Sequence, residues 1–188
     1  MDLCSGSIGW VKTNRFLILL LHQWMTGVGL DIVISKMSLF KKKVLAVASG
    51  GGHWIQLLRM TPAFSEHEVV YLTTLASYRS QVGSSRFHVV PNASRWNKAA
   101  LMLMAVKIIW ILLRERPAIV ISTGAAPGYF AIRFGKLVGA KTIWVDSIAN
   151  AQKLSLSGKS IGKFADLWLT QWPHLARPEG PYFCGAVL

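Results

Sequence analysis

Two apolar runs that each break into glycine constrain this chain more than any other feature. The first, VLAVAS at residues 44–49, runs into Gly50, Gly51 and Gly52 and then His53. The second, AIVIST at residues 118–123, runs into Gly124-Ala125-Ala126-Pro127-Gly128. Each run is too short for a helix and apolar on both faces, as a parallel strand buried from both sides must be. Helical apolar spacing follows each turn, in WIQLLRMTPAF as far as Pro62 and in YFAIRFGKLVG with Gly139 as its stop.

The same alternation fills the rest of the chain. EVVYLTTL (68–75), FHVVP (87–91), KTIWVDS (141–147) and LWLTQ (167–171) are β-branched or aromatic and read as strands. GPYFCGAVL at the end supplies a last strand. Residues 97–116 form a long helix ended by Pro117, and KSIGKFAD a short one. Strands alternating with helices predict an α/β fold, a Rossmann-like parallel sheet with helices on both faces. In such sheets ligands lie at the carboxyl ends of the strands, where both glycine turns fall.

Residues 1–40 do not share this alternation. RFLILLLHQWM is apolar, but Gly27, Gly29 and Asp31 interrupt its continuation. The apolar run falls short of the roughly 20 residues of a spanning helix, and no clean small-residue cleavage site comes after it. Three readings fit: a membrane-seeking arm, a weak anchor over residues 16–35, or upstream translation with the start at Met37. The expected domain is residues 41–188, which leaves room for one core.

Charged residues make up only 15% of the sequence, yet the formal net charge is +13. That balance predicts a negatively charged partner, an anionic lipid surface among the candidates. No nucleic acid is expected, because the basic residues are scattered apart from Lys41, Lys42 and Lys43 and no nucleic-acid motif is evident. Cys4 and Cys184 lie at opposite ends and make neither a disulfide framework nor a metal site, which fits a reducing, cytoplasmic setting. No cluster has metal-ligand spacing, and no metal or cofactor is expected.

The turns carry the chemistry. Ser49, Gly50, Gly51 and Gly52 let the backbone come close to a ligand, and the helix after them offers free N–H groups and a positive dipole end. That suits phosphate or diphosphate; a bare connection between strand and helix is the plainer reading. The order G-x-G-x-x-G and the P-loop ending are both absent, which disfavours NAD and ATP by those routes. His53 at the helix start is a candidate base or phosphate donor, or only a polar cap. Ser122, Thr123, Gly124 and Gly128 repeat the arrangement, with Pro127 suited to a first helical turn. Asp146 after the next strand is a candidate base or sugar contact, or equally a helix cap.

The helix over 97–116 is apolar nearly all round, with Lys107 inside its apolar stretch. Such a helix lies in a core or against lipid. Arg95, Trp96, Lys98, Lys107, Trp110, Arg114 and Arg116 would suit the edge of an anionic bilayer.

Taken together, residues 44–60 and 116–150, LSLSGK and ADLWLTQWP resemble the acceptor-side subunit of split GT-B glycosyltransferases. That family includes the bacterial PssD, EpsE and CpsF exopolysaccharide proteins and the membrane subunit of the dolichol-linked N-acetylglucosaminyltransferase. It is similar to the N-terminal half of MurG, and the resemblance covers about residues 42–187. It implies a polyprenyl-diphosphate-linked acceptor bound at the cytoplasmic face of a membrane. It also implies a separate UDP-sugar-binding partner chain in a heterodimer, and inverting transfer without a metal. The family's first turn matches Gly50, Gly51, Gly52 and His53, which would take the acceptor diphosphate, with His53 the leading proton acceptor. Ser122, Thr123, Gly124 and Gly128 match the second turn. Asp146 and Asn150 stand where many of that family carry Glu and Arg. Two other classes stay open: a non-catalytic membrane anchor that recruits a transferase, and a self-contained nucleotide-binding enzyme.

Overall fold

The computed structural model describes residues 41–94 and 96–187. The expected extension over residues 1–40, with its anchor over 16–35, and Arg95 lie outside them. Seven parallel strands form one sheet in the order β3-β2-β1-β4-β5-β6-β7. The strands are β1 (Lys43–Val47), β2 (Glu68–Thr73), β3 (Arg86–Val89), β4 (Ile119–Ser122), β5 (Lys141–Val145), β6 (Leu167–Thr170) and β7 (Tyr182–Phe183). The helices are α1 (Gly52–Arg59), α2 (Lys98–Glu115), α3 (Ala125–Leu137) and α4 (Leu156–Ile161). This is the Rossmann-like order with a seventh strand added, and its direction reverses between β1 and β4. Val47 stands beside Ser122 in that central pair, so both glycine turns leave the sheet at the switch point.

Alternation along the strands divides the core into two layers. Val44 and Ala46 pack with Trp54 and Leu57 of α1 on one face. Leu45 and Val47 pack with Met104, Ile108 and Leu112 of α2 and Ala131 and Ile132 of α3 on the other. Small residues set the closeness of α3: a Cβ on Gly135 would come 2.8 Å from a methyl of Val120, and one on Gly128 would strike the Ser122 hydroxyl.

Three expectations need adjustment. The short helix begins at Leu156, ahead of the predicted KSIGKFAD, because Ser155 caps it by accepting from Gly158 N at 2.8 Å. Helix α3 starts at Ala125 rather than after Gly128, with Pro127 inside its first turn. Cys184 is buried and disulfide-bonded.

The amino ends of the strands hold charge of a structural kind. Glu115, buried at the end of α2, meets Arg86 at 2.7 Å, His88 at 3.0 Å and Lys43 at 3.4 Å. Burial pushes its carboxyl upward, but the three basic partners outweigh burial and hold it below the ordinary value.

Candidate functional site

The two turns are fastened to each other through His53 and Thr123. The His53 Nδ1 lies 2.9 Å from the Thr123 carbonyl oxygen. A carbonyl only accepts, so Nδ1 carries the proton, and the neutral ring keeps its lone pair at Nε2. The Thr123 hydroxyl donates to the His53 carbonyl at 2.7 Å. His53 is therefore held at both backbone and ring by the neighbouring strand end. Burial lowers its pKa below the usual histidine value, against the opposing effects of the Thr123 carbonyl and the Asp146 charge.

Gly124 makes room for this ring. Its φ is 138°, and a Cβ there would come 2.6 Å from His53 Cε1. Gly124→Ala is expected to displace the imidazole and to strain the turn by about 1–3 kcal/mol. A thermal melt and histidine NMR of the same sample check this. The fold should survive a drop in melting temperature, and the His53 ring resonances should shift.

Gly50 and Gly51 are backed by the segment after β2. A Cβ on Gly50 would meet Leu75 Cδ1 at 2.6 Å. Gly51 has φ 72°, and its N–H donates to the Tyr78 hydroxyl at 2.9 Å. Tyr78 is stacked on Trp54, with ring centroids 5.0 Å apart.

A cavity of about 530 Å³ opens beside this junction, lined by His53, Ala125, the loop after β5 and the start of α4. Of the residues singled out from sequence, His53 and Asn150 line it. Ser122 and Thr123 are buried behind it, where Ser122 Oγ accepts from Gly124 N at 3.1 Å. Gly128 lies at the contact of α3 with β4. Ser49 is half-buried, its hydroxyl turned to the Gly50 carbonyl at 3.4 Å.

Asp146 is 2% exposed and does not line the cavity. Its carboxylate accepts from Ser155 Oγ at 2.6 Å, Ser155 N at 3.0 Å and Trp144 Nε1 at 3.3 Å. That geometry fastens the loop that closes the cavity. The loop is held from below as well: Gln171 Nε2 donates to the Asp146 carbonyl and to Gln56 Oε1, and Gln56 Nε2 donates to Ser147 Oγ. Gln56, Ser155 and Gln171 were not expected from sequence as site residues, though ADLWLTQWP and LSLSGK already carried the family resemblance. Nor were Lys153 and Lys159, which line the cavity. Among the described residues no group of His, Cys, Asp and Glu is placed to hold a metal ion.

Helix α2 has two apolar faces. Met104, Ile108, Ile111 and Leu112 are buried, while Met102, Leu103, Val106, Trp110 and Leu113 are exposed, Trp110 by 55%. Trp96 ahead of the helix is 82% exposed. Lys98, Lys107 and Arg114 are exposed too, with the Arg114 guanidinium 5.2 Å over the Trp110 ring. Among the described residues no helix is long and apolar enough to cross a membrane.

Comparison with known proteins agrees with this layout. Residues 87–186 match the family described as oligosaccharide biosynthesis protein Alg14 like. The UDP-N-acetylglucosamine transferase subunit ALG14 of Yarrowia lipolytica is 24% identical over 173 residues, covering 74% of this chain and 79% of that protein. Among solved structures, MurG of Acinetobacter baumannii superposes with a TM-score of 0.64 at 12% identity, over 77% of this chain and 45% of that one. The UDP-N-acetylglucosamine 2-epimerase of Rickettsia bellii superposes with a TM-score of 0.61 at 15% identity, over 79% of this chain and 46% of that one. At such identities the likeness shows the fold alone, and the chain spans less than half of either structure.

Proposed function

The chain belongs to the Alg14-like family of oligosaccharide biosynthesis proteins, and from that premise we propose that it is the acceptor-binding subunit of a two-chain UDP-sugar glycosyltransferase. The acceptor class is a polyprenyl-diphosphate-linked saccharide, with bacterial exopolysaccharide precursors as one setting. The observation that carries the reading is the His53 imidazole, held through Nδ1 by Thr123 at the rim of the cavity. In the proposed reaction His53 Nε2 takes the proton from an acceptor hydroxyl. The hydroxyl oxygen forms a bond to the anomeric carbon of the donor, the bond from that carbon to the UDP phosphate oxygen breaks, and UDP leaves with the electron pair. Inversion results from attack opposite the leaving group.

Asp146 serves in this reading as a buried strut for the loop, in place of the tentative catalytic role. The backbones of Gly50, Gly51, Gly52 and Gly124 and the hydroxyls of Ser49, Ser122 and Thr123 shape the turns beside the diphosphate, and Gly128 sets how closely α3 approaches them. The exposed face of α2 rests on the anionic membrane surface as a peripheral contact. The donor nucleotide lies on the partner chain, in keeping with a relative named as a transferase subunit.

The test is reconstitution. The full chain alone is expected to bind UDP-sugar weakly and to turn none over, and adding the co-expressed donor-binding chain is expected to restore transfer to the lipid-linked acceptor. Efficient turnover of UDP-sugar by the chain alone would overturn the proposal in favour of a self-contained enzyme.

A further inference from the structure

The loop wall of the cavity carries cations that the proposed reaction has not yet used. Lys153 and Lys159 both line it, together with Ser155 and Ser157. Neither lysine takes part in an ion pair or side-chain hydrogen bond among the described residues. No ion pair joins Asp146 to either lysine; its oxygens accept from Ser155 and Trp144. The backbone that presents the lysines is tightly drawn. A Cβ on Gly158 would sit 2.7 Å from Asp146 Oδ1 and 2.8 Å from Ser155 Oγ, so glycine alone allows the loop to close on that carboxylate. Ser155 accepts from Gly158 N at 2.8 Å and so ties the two ends of the segment together. At about 530 Å³ the cavity falls in the range of roughly 300–1,000 Å³ usual for small-molecule sites. His53 lines one wall, and the exposed residues Lys153 and Lys159 line another.

We propose that Lys153 and Lys159 form a diphosphate site in this cavity, and that they select an acceptor whose sugar is linked to diphosphate. The proposal rests on the acceptor-subunit reading above. It adds that recognition of the anion depends on Lys153 of the loop between β5 and α4 and on Lys159 of α4, as well as on the glycine turns. An ammonium group attracts phosphate oxygens as a point charge, and two of them favour a diphosphate over a monophosphate. A donor nucleotide carries a diphosphate too, and the test separates the two sources.

Lys153→Gln, Lys159→Gln and the double variant are made in the full chain and assayed with its donor-binding partner. A short-chain, water-soluble prenyl-diphosphate saccharide serves as acceptor, so that attraction to a lipid surface plays no part. Each single variant is expected to raise the acceptor KM about tenfold, the loss of one charge-assisted contact. The UDP-sugar KM is expected to move by less than about threefold, and Lys→Arg at either position to restore most of the acceptor affinity. The full chain without its partner is also titrated with inorganic pyrophosphate, which is expected to bind to the parent protein and about tenfold more weakly to each variant. A rise in the UDP-sugar KM with the acceptor KM unmoved assigns the lysines to the donor and overturns the proposal. Pyrophosphate binding that is absent, or equal in parent and variants, overturns it whatever the kinetics show. Pyrophosphate binding that depends on both lysines, in a chain that turns over UDP-sugar unaided, supports the anion site while overturning the acceptor-subunit reading.

Discussion

His53→Gln is expected to lower kcat by about 10²–10⁴-fold, the usual contribution of a positioned general base. The acceptor KM should change by no more than a few-fold, because the diphosphate is held by other groups. This split decides between the two roles open to the residue. A histidine that only contacts phosphate would raise KM and leave kcat close to the parent value. The geometry favours the base, since Nδ1–H donates to the Thr123 carbonyl and the neutral ring keeps its lone pair at Nε2.

The pH profile gives an independent readout. Burial, working against the Thr123 contact and the Asp146 charge, lowers the His53 pKa. A lowered value means that the ring stays neutral at pH values where a free imidazole, with its pKa near about 6.5, is already charging. The acid limb of kcat should therefore fall below that value, with turnover lost as pH drops through the shifted pKa. His53→Gln should abolish that limb along with the rate. A variant that retains both kcat and the acid limb would reduce this chain to a membrane anchor for its partner.

The sheet was legible from sequence because its strands are buried from both sides. Val44–Val47 and Ile119–Ser122 leave no polar face to confuse them with amphipathic helices, and glycine marks where each stops. The clasp between the turns was not legible. His53 and Thr123 are 70 residues apart and meet only because β1 and β4 are neighbours across the switch point. Asp146 stayed between two readings for a related reason. A carboxylate at a strand's carboxyl end suits a base or a cap equally well, and only the position of Ser155 separates the two. Helix α2 shows a different limit. Composition counts Met102 and Met104 alike, yet one is 67% exposed and the other fully buried. An apolar residue count alone does not divide a helix between a core and a second apolar surface.

That second surface carries the other large effect. Changing Met102, Val106, Trp110 and Leu113 together to serine is expected to weaken binding to phosphatidylglycerol-containing vesicles by roughly 10³-fold. Full burial of such a side chain is worth about 1.5–3 kcal/mol. Partial insertion of four, at about 1 kcal/mol each, gives roughly 4 kcal/mol, or about three decades in affinity. The fold should persist, because Met104, Ile108, Ile111 and Leu112 hold α2 to the sheet from its other side. Circular dichroism of the variant checks that point. The basic rim makes a separable contribution: Lys98→Gln with Lys107→Gln should weaken binding less, and their effect should fade in high salt as exposed charges are screened. Sedimentation with vesicles and pull-down of the donor-binding chain are run on the same samples. If the face meets lipid, vesicle binding drops and the partner is retained. If it meets the partner chain instead, the partner is lost while vesicle binding stays. Unchanged vesicle binding in the fourfold variant would move membrane attachment elsewhere in the chain.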